Sequence, residues 1–131
     1  MRYLGIDYGL KRVGVAFSDE TGEFALPHSV LPNDKKLLVA VTEICRNKDA
    51  KMIVLGESKN FAGEDNLLQE QINQFKKALE KRTGLPIILE PEFFTSAEAA
   101  RLQEKTVKLD ASAAALILKS FLDKKKNNEH I

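Results

Sequence analysis

Apolar residues fall into short, closely spaced runs in the first quarter of the chain and into helical spacings interrupted by compact apolar blocks after it. Arg2 to Tyr8 and Arg12 to Ser18 are β-rich runs joined by Gly9-Leu10-Lys11, and Phe24 to Val30 adds a third after the turn Glu20-Thr21-Gly22. They predict an antiparallel meander. From Asp34 the period changes: Leu37, Leu38, Val41 and Ile44 recur at helical spacing, so a helix is expected to about Lys48 with Asn33 or Asp34 as its N-cap. Met52 to Gly56 is a continuous apolar run, the pattern of a strand covered on both faces in a parallel sheet. A polar loop from Glu57 to Glu64 follows. Asp65 then caps a second helix carrying Leu68, Ile72, Phe75 and Leu79 on one face, which Thr83-Gly84 stops. Pro86 to Leu89 reads as a further buried strand, and Pro91 just beyond it suits a strand end. Thr95 and Glu98 form a capping box for a short helix, Glu104 to Leu109 lacks periodicity, and Ala111 to Leu122 is an apolar, alanine-rich final helix. The order predicts an α/β fold with a mixed five-stranded sheet, three antiparallel strands then parallel ones, flanked by helices.

Length and composition narrow the class. At 131 residues the chain is expected to form a single domain over residues 1–126, with 127–131 as a disordered tail. Hydrophobic residues at 44% and charged residues at 30% are globular values, and no apolar run reaches the ~20 residues that cross a bilayer. Met1-Arg2-Tyr3 leads into a strand-like segment instead of a signal peptide, so a cytoplasmic protein with no membrane partner is expected. The single Cys45 cannot pair internally, and on a helix with no neighbouring base it reads as a packing residue. With His28 and His130 far apart, no Cys/His zinc pattern exists, which leaves oxygen ligands for any metal. Net charge is only +1. From Arg101 onward seven basic residues face four acidic ones, an excess of three that a solvated helix and tail explain as well as a polyanion partner does.

Three carboxylates stand where chemistry is possible. Asp7 follows the apolar run Tyr3-Leu4-Gly5-Ile6, so it is either hydrogen-bonded at a strand end or faces a cleft and a cation. Glu92 lies just past the last strand, where open α/β sheets place ligands, though an exposed loop glutamate looks the same. Asp110 precedes the last helix, where capping alone accounts for an aspartate. Taken together they could converge on one sheet edge, and three oxygen ligands suit Mg²⁺ or Mn²⁺. Gly5, Gly9 and Gly14 with Lys11 and Arg12 could admit a phosphodiester to the first hairpin, or simply build a tight one. Ser58, Lys59, Asn60 and Gly63 form a polar loop suited to substrate contact and equally to an ordinary surface.

Leu4-Gly5-Ile6-Asp7-Tyr8-Gly9, with Arg12 to Ala16 and Ser18-Asp19, resembles the opening signature of the YqgF/RuvX family. Val54-Leu55-Gly56 with Asn60 and Gly63 is similar to the family's middle segment, and Leu109 to Ala114 with Ile117-Leu118 to its closing one. The resemblance implies a ribonuclease-H-like fold and a nuclease with Asp7, Glu92 and Asp110 as catalytic metal ligands. It places Gly9, Lys11, Arg12, Asn60 and Thr95 against a nucleic-acid substrate. The implied substrate is precursor small-subunit ribosomal RNA, cut at its 5′ end, or branched DNA of the Holliday-junction type, and the protein a monomer or weak homodimer. One departure stands out: the family's Asp-Glu-Arg run is Pro91-Glu92-Phe93 here, which keeps the central acid and loses its acidic and basic neighbours. Glu90 is a poor replacement for the missing acid, since it falls on the other side of the strand.

Two other classes fit parts of the pattern. A non-catalytic nucleic-acid-binding module would explain the loss of an arginine at Phe93, but it would gain nothing from three retained acids. A nucleotide phosphotransferase of the actin-like class shares the glycine-rich hairpin, yet needs two lobes where 131 residues supply one.

Overall fold

The computed structural model describes residues 1–57, 67–91 and 110–129. Its elements are β1 (Arg2–Tyr8), β2 (Arg12–Ser18), β3 (Ala25–Pro32), α1 (Leu37–Asn47), β4 (Ala50–Glu57), α2 (Leu67–Thr83), β5 (Ile87–Pro91) and α3 (Asp110–Glu129). The five strands form one sheet in the order β3-β2-β1-β4-β5. β1 to β3 are antiparallel neighbours, and β4 and β5 run parallel to β1. This is the mixed sheet that the apolar pattern predicts. It follows that the carboxyl ends of β1, β4 and β5 lie along one edge, together with the β1–β2 hairpin.

Alternation of side chains across the pleat divides the core in two. Leu4, Ile6, Val13, Val15, Ile53 and Leu55 face α1 and α2, and pack with Val41, Ile72 and Leu79. Tyr3, Ala16 and Val54 face the other way, against Ala114, Ile117, Leu118 and Leu122 of α3. Both faces of β1 and β4 are therefore covered, which is why their sequences are continuous in apolar residues.

Several local expectations are corrected. Neither Asn33 nor Asp34 caps α1: the N-cap is Lys36, which makes no side-chain cap bond. Asn33 instead donates its amide to the Gly9 carbonyl at 2.8 Å, and its backbone N–H donates to the Lys11 carbonyl at 3.0 Å. The residue thus anchors the first hairpin. The third strand runs to Pro32, two residues past its expected end, because pairing with β2 continues to Arg12. The last helix runs on to Glu129, through residues assigned by sequence to a tail. The expected cap at Asp65 and the capping box at Thr95 and Glu98 lie outside the described residues.

Ser18 and Asp19, part of the family-like opening, have structural roles. The buried Ser18 hydroxyl accepts from the Tyr3 N–H at 2.8 Å. Asp19 accepts from the Thr21 hydroxyl and from the N–H groups of Glu23 and Phe24 at 2.9 and 3.0 Å, holding the turn into β3. These bonds, the Thr21 hydroxyl first, pull its carboxyl from the ordinary 3.8 to about 2. A depressed pKa means that the charged form favours the folded state. Its contribution is complete above about pH 4 and drains away as the pH falls toward 2. In urea unfolding, the drop in midpoint between neutral pH and pH 2 is expected to be larger for the wild type than for Asp19→Asn.

Candidate active site at the carboxyl end of the sheet

Asp7 is the penultimate residue of β1 and is half-buried. It shares the face of Tyr3 and Gly5, the side that α3 covers. Its partner across β2 is Gly14, and on β4 the residue after Leu55, the partner of Ile6, is Gly56. On that face the carboxylate is therefore bordered laterally by two residues without side chains. Space beside an acid at a strand end is what a cation or a phosphate requires.

The register of α3 follows from a close approach. A Cβ at Gly5 would lie 2.8 Å from the Leu118 Cβ and 3.0 Å from the Ala114 carbonyl oxygen, so the helix rests on the bare backbone of β1. Farther toward its C-terminus, Phe121 meets the Tyr3 ring edge-on at 5.7 Å and the Lys125 ammonium donates to the Tyr3 hydroxyl. Thus α3 runs antiparallel to β1. From Ala114 back to Asp110 the helix rises about 6 Å, and from Gly5 to Asp7 the strand advances about 6.6 Å. The first turn of α3 consequently starts beside Asp7. Asp110 opens the helix as its first residue, one position before the start expected at Ala111, and its side chain lies outside the described residues.

A second tie fixes the far half of α3. Glu90, only 4% exposed, accepts from Lys124 at 2.6 Å and from the Ser120 hydroxyl at 3.1 Å. In the sequence Glu90 stands out only as a poor substitute for the missing acid, whereas in the fold its oxygen is engaged with α3. Removing Lys124 leaves a buried carboxylate with one neutral donor, so Lys124→Ala is expected to cost about 1–3 kcal/mol. Glu90→Gln should cost less, because it removes the charge together with the need for its partner; chemical denaturation of both variants checks the order.

At the hairpin, a Cβ at Gly9 would meet the Arg12 carbonyl oxygen at 2.5 Å, so tight turning alone requires this glycine. Lys11 and Arg12 are exposed at the same sheet end as Asp7. Glu57, at the end of β4, falls on the face opposite Asp7 by alternation with Gly56. Glu92, Asn60 and Thr95 lie outside the described residues. Among the described residues no three His, Cys, Asp or Glu side chains gather to hold a metal. Cys45 lies on the buried face of α1, where burial pushes its thiol up to about 11, in keeping with a packing residue.

The arrangement has solved counterparts. RuvC of Thermus thermophilus superimposes with a TM-score of 0.63 at 14% identity, over 97% of both chains. The fowlpox virus Holliday junction resolvase gives 0.56 at 16% identity, over 95% of this chain and 99% of that one. The fold is that of the ribonuclease-H-like resolvases. Residues 1–124 match the family model RuvX, described as Holliday junction resolvase. Two curated relatives, from Nitratidesulfovibrio vulgaris and Maridesulfovibrio salexigens, are each 36% identical. They match over 94% of both chains and over 93% of this chain and 98% of the relative, respectively, and both carry the name "Putative pre-16S rRNA nuclease". This chain belongs to the RuvX family, and it is accordingly a hydrolase of the nuclease class. No helix among the described residues is long and apolar enough to cross a membrane.

Proposed function

We propose that this nuclease hydrolyses phosphodiester bonds in structured nucleic acid, trimming the 5′ end of precursor 16S ribosomal RNA in the cytoplasm, with Asp7, Glu92 and Asp110 as its acidic centre. The observation that carries the reading is Asp7 itself: a half-buried carboxylate between Gly14 and Gly56, at the carboxyl end of the sheet and beside the start of α3. Asp7 offers oxygen donors between two glycines of the neighbouring strands, with His28 on an outer strand and Cys45 in the core of the opposite face. Those features fit a hard divalent cation, Mg²⁺ or Mn²⁺. Such an ion supplies a polarised water and neutralises charge developing on the phosphate. The chain's own part is to hold that point fixed: Gly5 seats α3 close to β1, and the Glu90–Lys124 bond ties the helix to β5. Lys11 and Arg12 attract the phosphate backbone from the hairpin, and Asn60 and Thr95 complete the contacts on the substrate side.

Ribosomal RNA is favoured by the names of relatives that match over at least 93% of this chain at 36% identity. Resolution of Holliday junctions is the second reading, favoured by the family description. The readings differ in assembly, since a resolvase that cuts two symmetric strands needs a two-fold dimer while a processing nuclease works as a monomer or weak homodimer. Competition between a labelled precursor-rRNA 5′ fragment and a four-way DNA junction, with Mg²⁺ or Mn²⁺, tests the proposal. Preferred metal-dependent cutting of the RNA is expected. Symmetric nicking of the junction by a dimer would replace it with the second reading, and binding of both without cutting would leave a non-catalytic module.

A further inference from the structure

Behind Asp7, on the opposite face of the same sheet end, a cleft of about 400 Å³ opens between the chain entering α1 and the exposed side of α2. That volume falls in the ~300–1,000 Å³ range of ligand clefts. Tyr8, the residue after Asp7, forms part of its wall, with Leu38, Gln71, Gln74 and Phe75. The Tyr8 ring meets Phe75 at 5.1 Å and 40°, and since Phe75 is only 9% exposed, Tyr8 offers the accessible aromatic surface. Gln71 is half-buried and Gln74 exposed, and each amide presents both donors and an acceptor. The charged residues of the wall, Lys35 and Asp34, cancel, and the Asp34 carboxylate already accepts from the Lys36 N–H at 2.9 Å. With no net charge, the cleft is unsuited to a phosphate. An aromatic wall and two amides suit a flat, neutral ring bearing hydrogen-bonding edges.

We infer that this cleft takes an unpaired nucleobase of the substrate strand, stacked on Tyr8 with its edge met by Gln71 and Gln74. A paired base has its edge engaged and its faces covered by its neighbours, so the occupant is single-stranded. Because Tyr8 adjoins Asp7 on the strand, a base held here brings a nearby phosphate around the end of β1 toward the acidic face. The inference rests on the nuclease reading of Asp7 and deepens it: the bond cut lies next to an unpaired nucleotide.

The test uses Asp7→Asn protein without metal, so that binding is read without cleavage, and a short single-stranded oligoribonucleotide carrying one 2-aminopurine. Binding is expected to quench the 2-aminopurine. Adding Gln71→Ala and Gln74→Ala should weaken binding roughly tenfold and remove the quench. Both glutamines lie outside the apolar core, so the fold is kept, and Tyr8→Leu should lose the quench independently. Unchanged affinity and quench in the double glutamine variant would overturn the inference. If wild-type protein cuts with metal but shows no glutamine-dependent quench, the cleft falls and the nuclease stands. A glutamine-dependent quench without metal-dependent cutting by the wild type leaves the cleft standing as a base site and removes the nuclease reading.

Discussion

Asp7→Asn is expected to yield a folded protein whose metal-dependent cleavage falls by roughly 10²–10³-fold or more. The substitution keeps size and shape and removes one negative charge at a half-buried strand end. If that carboxylate serves a cation, its neutral replacement of the same shape takes away a metal ligand and little of the packing, and the thermal midpoint changes little. If instead it serves as a structural hydrogen-bond acceptor, asparagine loses part of that bonding and the midpoint falls. Single-turnover cleavage and a melting curve on the same preparation therefore separate the two explanations that the sequence leaves open. Lost cutting with retained stability is the predicted pair. Lost stability with proportionate loss of cutting would remove Asp7 from the chemistry.

Gly5→Ala carries the second large effect. The new methyl group meets the Leu118 Cβ at 2.8 Å and the Ala114 carbonyl oxygen at 3.0 Å, and neither is the free end of a flexible side chain. The helix must lift from the sheet, at a cost of about 1–3 kcal/mol for overpacking. Shortening the neighbour should bring no rescue. Leu118→Ala keeps the Cβ and the backbone that clash, and by itself costs about 2–5 kcal/mol as a fully buried leucine. The double variant is thus expected to be less stable than either single one, measured by denaturant unfolding. Activity should fall more than stability does, because lifting α3 displaces its first turn from beside Asp7.

Most of the fold is legible in the sequence because its periods are clean. The apolar blocks of β1, β2 and β4 and the helical spacing of α1 and α2 need no partner to be recognised. Two kinds of feature are hidden. Asn33 and Asp34 look like caps because local sequence offers them that role, whereas Asn33 is drawn to the Gly9 carbonyl 24 residues earlier, a contact set by tertiary packing. Glu90 looks like an acid near a site because its partners, Ser120 and Lys124, lie 30 and 34 residues away. At the candidate site, Asp7 is visible as a charge after an apolar run, but the two glycines beside it come from different strands. Their convergence requires the registers of β2 and β4. Gln71 and Gln74 carry no signal at all, since glutamines three apart on a helix are ordinary surface residues until Tyr8 is placed next to them.

The outermost strands have a consequence for how the protein keeps company with itself. β3, with β2 as its neighbour in the sheet, exposes Leu26 and Val30, and Phe24 just before it, a composition that invites another chain to add on. Pro27 and Pro32 withhold backbone donors from that rim, and a register shift beside Pro27 bends it. The opposite rim, β5, is five residues long and ends in Pro91. Among the described residues, neither border offers the long, flat ladder on which fibrils grow. Restoring the missing donor, as in Pro27→Thr, would put at risk the solubility of the whole molecule before it disturbed any step of catalysis.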